Sequence, residues 1–233
     1  MKKLILFFFT LFVLSLQAET LDFNVKTDVD KLAYLAYSKD PFAVEENVWG
    51  AWFLYYRNHD LYKEVHEDEF ELEDASNAYL KKLQKMAKYY NEKFKDHVFS
   101  ITVPMRFGKY KRKGGYFKIE NLTSQNYFTY SGDSMVDWAR LSFNNTASSK
   151  DYDKVFLPRE EAKILLKNRK DAYGNIDRTI HIKFDFKIAD IKITDLPTID
   201  GNDLELKVIG KIVKMDYIDQ KTGKILKSVV FKK

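Results

Sequence analysis

Residues 68–107 read DEFELEDASNAYLKKLQKMAKYYNEKFKDHVFSITVPMRF, and the hydrophobic period changes once inside them. Leu72, Ala75, Tyr79, Leu83, Met86, Tyr90 and Phe94 recur at steps of three and four, which places them on one stripe of an α-helix. Acidic residues crowd its start (Glu67, Asp68, Glu69, Glu71, Glu73, Asp74) and lysines its end (Lys81, Lys82, Lys85, Lys88, Lys93, Lys95). Both distributions suit the helix dipole. From Phe99 the step is two. Phe99, Ile101, Val103, Met105 and Phe107 alternate, as in a strand with one buried face. Pro104 lies on the other face and cannot donate to a ladder, so an edge position is expected. A loop over Gly108–Gly115 and the return at Tyr116–Ile119 predict a hairpin with this strand.

Upstream, Asp30 is read as the N-cap of a short helix over Lys31–Tyr37. Asp40-Pro41 is read as the start of a second helix through Val48, Trp49, Trp52, Phe53, Tyr55 and Tyr56. That segment is apolar on most sides and is expected near the centre of the domain. Asn58-His59-Asp60 interrupts it. Downstream, Asn126–Tyr130 reads as a short strand, Ser134–Phe143 as either strand or helix, and Asn144–Asp153 as a loop. Pro158 opens a helix to Lys167, again with acids first and bases last.

The last part is strand-like. Ile180, Ile182, Phe184, Phe186 and Ile188 share one phase, and Ile191 and Ile193 the other, so a bulge is expected near Ala189–Asp190. Leu204, Leu206 and Val208 change phase in the same way before Val213, Met215 and Tyr217, as paired strands that bend together would. Asp219–Gly223 is a turn, and Ile225–Phe231 closes a meander. The prediction is an α+β fold: an N-terminal helical layer packed on a bent, mostly antiparallel C-terminal β-sheet with a terminal meander. It is read as a single domain over 19–233, helical over about 30–96 and β-rich over about 97–233.

Before it stands a leader. Lys2 and Lys3 precede an apolar run from Leu4 to Leu16, and Ala18 offers a cleavage site before Glu19. This is the layout of a secretory signal peptide over residues 1–18. No cysteine follows to carry a lipid, and no later apolar run approaches the ~20 residues that span a bilayer. Export is expected, to the periplasm or beyond, with no transmembrane segment after cleavage.

The 233 residues contain no cysteine, which removes disulfides, thiolate metal sites and cysteine catalysis together. Loss of Lys2 and Lys3 with the leader takes the 39 basic residues to 37 against 34 acidic ones, a net charge of +3. That mild excess points weakly to an anionic partner. No phosphate loop or dinucleotide fingerprint is present, and no cofactor is expected.

Several short segments occur in a familiar order. They are Tyr55-Tyr56-Arg57, Asp68-Glu69-Phe70-Glu71-Leu72, Leu157-Pro158 with Glu161-Ala162 and Leu165-Leu166, and Arg178 at the head of a long strand. The order resembles an exported bacterial family known as a domain of unknown function, number 4852. The resemblance implies one shared architecture across most of the chain, and no activity, cofactor or site.

Three groups of residues are candidates for chemistry. Gly132-Asp133-Ser134-Met135 is similar to the nucleophile block of GDS-type esterases, but Asp177 and His181 are spaced and placed unlike that family's pair, and a turn capped by Asp133 and Ser134 is the preferred reading of the block. His59, Asp60, Glu64, His66, Glu67, Asp68 and Glu69 are acid- and His-rich without a metal-ligand spacing, and a solvated helix start explains them. Lys109, Lys111, Arg112 and Lys113, with Arg106 on the strand below, form the densest positive cluster and are the candidate site for an anionic partner. An exposed turn that keeps an edge strand soluble explains them as well.

The function expected is non-enzymatic. It is an exported envelope protein that binds an envelope protein, a glycan or an anionic lipid, with nucleic acid not expected. An envelope-directed hydrolase and a structural subunit of an envelope assembly are the alternatives.

Overall fold

The computed structural model describes residues 19–22, 25–41, 46–122, 128–131, 134–145, 150–198 and 201–231. The leader with Ala18, and Gly132-Asp133 of the esterase-like block, lie outside the described residues. In chain order the elements are β1 (Glu19–Thr20), α1 (Lys26–Lys39), α2 (Glu46–Arg57), α3 (His59–Val65), α4 (Glu69–Lys93), β2 (Phe99–Arg106), β3 (Tyr116–Lys118), β4 (Phe128–Ser131), β5 (Trp138–Phe143), β6 (Lys154–Phe156), α5 (Arg159–Lys167), β7 (Thr179–Thr198), β8 (Gly201–Ile218) and β9 (Ile225–Val230).

The fold is α+β, with the helices mostly N-terminal. A seven-stranded sheet runs β1-β2-β7-β8-β5-β4, and β9 pairs with β8. β7, β8 and β9 follow one another as antiparallel neighbours, which is the meander expected. Two pairs are parallel, β1 with β2 and β5 with β8, so the sheet is mixed. The bends come from single extra residues. Pairs Phe186–Ile212 and Asp185–Lys214 leave Val213 extra on β8, and pairs Ile188–Gly210 and Asp190–Ile209 leave Ala189 extra on β7. Each insertion turns the following side chains to the opposite face. Opposed bulges restore the pairing, and the ladder therefore bends without breaking.

The hairpin expected at Phe99–Ile119 forms only beyond the end of β2. The returning chain meets it through the antiparallel bridges Phe107–Ile119 and Lys111–Tyr116, with Gly108 N–H donating to Lys118 O (2.8 Å) and Glu120 N–H to Arg106 O (2.9 Å). β2 itself pairs with β7 over Phe99–Phe186 to Arg106–Thr179. β3 pairs with β6 as a separate two-stranded sheet. The longer ladder wins because eight register pairs bury the Phe99, Ile101 and Val103 face against Phe184 and Phe186, and three-residue β3 cannot match that. Pro104 sits where β2 has passed the end of β1, on an open edge as expected.

The helices form two layers over the sheet. α1 lies on β7 and β8, with Val29, Leu32, Ala33, Leu35 and Ala36 all buried. α2 and α4 lie outside it, joined through Tyr34 against Phe53 and Tyr90, and Tyr37 against Trp49. The central helix is thus α1, which begins at Lys26 and not at Asp30. Asp40 closes α1 and Pro41 lies in a turn; α2 is described from Glu46, the residues 42–45 between them lying outside the described residues. α2 keeps Trp49, Phe53 and Leu54 in the core but leaves Val48 and Tyr55 exposed. Asn58 caps α3, so the Asn58-His59-Asp60 interruption is the start of a further helix. α4 is as expected, with Asp68 Oδ1 accepting the N–H of Phe70 (2.9 Å) and Glu71 (3.0 Å).

Gly50 meets Ser76 and Phe53 meets Tyr79, so α2 and α4 run in the same direction, with α3 as the return. A Cβ at Gly50 would lie 2.6 Å from the main-chain oxygen of Ser76. Backbone cannot rotate away as a side-chain tip can. Gly50→Ala is expected to cost about 1–3 kcal/mol in urea denaturation, despite alanine's better helix propensity of about 1 kcal/mol. A variant as stable as the parent would show that the helices separate freely.

The sheet face away from the helices is polar. Lys183 stands opposite Asp216 and Asp185 opposite Lys214, a checkerboard across β7 and β8. Ser100 and Ser228 on the flanking strands donate to Asp185 and Asp216. Such alternation suits a sheet with one face toward water.

Candidate functional site

The positive cluster sits on the connection between β2 and β3. Arg106, Lys109, Lys111, Arg112 and Lys113 are all exposed. None of them enters an ion pair among the described residues. The loop beneath them is braced at several points. Lys111 N–H donates to Tyr116 O (2.8 Å) and Gly115 N–H to Lys111 O (2.8 Å). Gly115 has φ +68°, a conformation that glycine takes without strain. The Tyr110 hydroxyl donates to Leu157 O (2.8 Å), and Arg178 Nη1 donates to Gly108 O (2.8 Å). Inside, Phe117 packs on Phe107 and Tyr110 at centroid distances of 4.9 and 5.1 Å.

Beside the tip, Tyr116 pairs in register with Phe156, which is 47% exposed. Lys154 lies over the Tyr116 ring at 5.2 Å, and Lys118 faces Asp153 at 3.7 Å. Both of these lysines are ion-paired, Lys154 with Asp151 (2.6 Å) and Lys118 with Asp153, and the half-buried Lys227 ammonium lies 6.0 Å from the centre of the exposed Phe156 ring. Lys227, on β9, is the cation drawn inward: burial lowers its pKa, and its ammonium donates to Asp151 O (2.5 Å) and Lys154 O (2.6 Å). Two of its three ammonium hydrogens are committed to main chain, and the group lies 5.3 Å from the centre of the Tyr217 ring.

Ser134 is buried, and its hydroxyl donates to Asp30 Oδ1 (2.9 Å). The same oxygen accepts the N–H of Met135 (3.0 Å), and Asp30 Oδ2 accepts the Tyr56 hydroxyl (2.7 Å). Burial first, and then the bond to Asp30, raises the Tyr56 hydroxyl well above the ordinary tyrosine range. His181 belongs to another part of the sheet. It pairs with Ile218, whereas the chain after Ser134 joins β8 at Leu204 through Asp137 N–H. From residue 204 to 218 is fourteen residues of β8, on the order of 45 Å along a strand. Asp177 does not orient His181 either; its carboxylate accepts the Thr179 N–H (2.9 Å), a bond that holds it below the usual carboxylate range. The serine, histidine and aspartate considered for ester hydrolysis are not brought together.

The acid- and His-rich segment divides between α3 and the start of α4. His66 Nδ1 contacts Lys63 O (2.8 Å) and Asp68 is the α4 cap. No group of three or more metal-ligating side chains converges among the described residues. What the segment does form is a row of rings: Tyr55 on His59 (4.6 Å), His59 over Tyr62 (6.4 Å) and Tyr62 over His66 (5.7 Å).

Sequence reading missed the groove beside these rings. Between α2 and α4 lies an open groove of about 480 Å³, bounded by Val48 and Ala51 on one wall and by Glu69, Leu72, Glu73, Ser76, Asn77 and Leu80 on the other. Its polar line, Glu69–Glu73–Asn77, is visible in the sequence as steps of four. The opposing wall is not, because it is set there by packing between α2 and α4, at Gly50 on Ser76 and Phe53 on Tyr79.

The chain belongs to the family described as Domain of unknown function (DUF4852), which matches residues 51–194. The match opens inside α2, takes in the basic tip and the whole of α4, and ends within β7. No curated protein and no solved structure matches the chain.

Proposed function

We propose that this family member is an exported, periplasmic, non-enzymatic binding module that docks its β2–β3 tip on the phosphates of anionic envelope lipid. The observation that carries the reading is the tip itself: Arg106, Lys109, Lys111, Arg112 and Lys113, all exposed, on a loop braced through Tyr110 and Arg178. Bracing lowers the entropy lost when a surface is engaged. The exposed Phe156 beside the tip favours a lipid over a soluble anion, since an aromatic ring adjoining cations suits the headgroup boundary. No described helix is long and apolar enough to cross a membrane, so attachment of this kind would be peripheral. Export rests on the Lys2–Ala18 leader.

The test is co-sedimentation with vesicles. Anionic vesicles are expected to carry the protein down and neutral ones to leave it in solution, with binding lost in high salt. Changing Arg106, Lys109, Lys111 and Arg112 to Ser is expected to weaken binding about a hundredfold, since each cation near an anionic surface contributes about 1 kcal/mol and not all four reach it together. Protein from the periplasmic fraction is expected to begin at Glu19 by mass spectrometry. Equal binding by the fourfold variant would end the tip reading, and an intact leader on cytoplasmic protein would end the export reading.

A further inference from the structure

We infer that the groove between α2 and α4 is a second binding site, for a linear aliphatic diamine or polyamine. It is independent of the basic tip.

The lining is selective in kind. The chain has 39 Lys and Arg residues, yet none of the described ones lines this groove. Its polar groups are Glu69, Glu73, Ser76 and Asn77, which between them offer two carboxylates, a hydroxyl and an amide oxygen as acceptors. Neither glutamate is in an ion pair among the described residues. A row of acids alone would be a solvated helix face. The second observation is Ser76: the residue is 8% exposed, it lines the groove, and its Oγ has no hydrogen-bond partner. A buried hydroxyl left unpaired is a cost that a donor in the groove would relieve.

The spacing names the ligand. Glu69, Glu73 and Asn77 are four residues apart, so acceptors repeat about every 6 Å along the helix. Ammonium groups separated by four methylenes repeat over a similar length. Between the acceptors, Leu72, Leu80, Val48 and Ala51 supply an apolar surface for those methylenes. A sugar would present hydroxyls on all sides, and a single ammonium would use one acceptor and waste the apolar length. The volume is within the range of small-molecule sites. The positive end of the α4 dipole lies at Glu69, which weakens a cation's attraction there. Glu73 is therefore the stronger contact of the two.

Isothermal titration of the purified protein with 1,4-diaminobutane, and with butylamine as the single-charge probe at matched ionic strength, tests the inference. One diamine per chain is expected, with butylamine about fivefold weaker or more. Glu73→Gln is expected to weaken the diamine about fivefold, Glu69→Gln less, and the pair of changes to remove the difference between the two amines. Ser76→Ala is expected to bind more weakly while being at least as stable as the parent, because it deletes the unpaired hydroxyl. Diamine and butylamine binding alike to the unaltered protein would overturn the inference without any variant having to fold. So would full diamine affinity in the E69Q/E73Q protein, or the absence of heat up to about 10 mM diamine.

Discussion

Arg169→Met is expected to lower unfolding stability by about 3–5 kcal/mol, read as an earlier urea midpoint at unchanged slope. Arg169 follows α5 and is 1% exposed. Its Nη1 donates to Asp177 O (3.3 Å) and to Thr179 O, its Nη2 donates to Asp219, and its guanidinium lies 5.3 Å from the centre of the Phe107 ring. One side chain thus joins the end of α5, the start of β7, the β8–β9 turn and the base of the β2–β3 tip. Met keeps the aliphatic stem but leaves a buried carboxylate without its countercharge and takes a donor from two carbonyls, which is the expensive way to break a buried pair. Arg169 Nε has no partner, so the clamp is incompletely satisfied and the lower end of the range is the better estimate.

The companion measurement is pH dependence. Burial by itself would raise the Asp219 carboxyl. The Thr222 hydroxyl and Arg169 outweigh it and hold the group below the usual carboxylate range. A depressed folded pKa means that the folded state binds the proton less well than the unfolded state does. The resulting stability is complete above the unfolded value of about 3.9 and is lost as pH falls through the folded one. Arg169→Met should flatten that acid limb, and Asp219→Asn should remove its own share of it while keeping an acceptor for Thr222. A cost below about 1 kcal/mol for Arg169→Met, with the acid limb unchanged, would mean that the four elements hold together without it.

The parts of the fold legible in the sequence are those decided within one element. α4 follows from a stripe and a cap that lie within 27 residues of each other, and the bulges in β7 and β8 follow from a phase change that any half-buried strand must repair. Partner choice was not legible. The alternation at Phe99–Phe107 says which side chains face inward and nothing about which strand lies alongside. The nearest candidate meets the chain only past the end of β2, and the body of β2 pairs with a strand some eighty residues away. Asp30 failed for the same reason. An aspartate before an apolar run is usually a cap, and what makes it an interior residue of α1 is a hydroxyl from α2 and another from beyond β4. The basic tip could be read as charge, but its bracing by Tyr110 and Arg178 depends on contacts 47 and 70 residues distant.

Asp30→Ala is expected to rival the Arg169 change, at about 3–4 kcal/mol, because it strips one acceptor from three donors at once. The Ser134 hydroxyl, the Met135 N–H and the Tyr56 hydroxyl all end on Asp30, which is 4% exposed. Asp30→Asn should cost much less, about 1–2 kcal/mol: its amide oxygen still serves Ser134 and Met135, and the Tyr56 hydroxyl can turn to accept from the new NH₂. Ser134→Ala and Tyr56→Phe each remove one donor and should cost about 1 kcal/mol.

Tyrosine titration separates this network from simple packing. Tyr56 is raised by burial and by Asp30, so its contribution to stability is full below the unfolded value of about 10 and is lost as pH rises from there. Asp30→Ala should bring one tyrosine back toward the ordinary range in ultraviolet titration, and Ser134→Ala should not. The same set bears on function. If Ser134 serves only to tie the chain before β5 to α1, Ser134→Ala loses a little stability and leaves vesicle binding intact. An esterase activity abolished by Ser134→Ala at unchanged stability would refute that account, and would mean that Asp30 orients a nucleophile where the contacts described here give it only a structural partner.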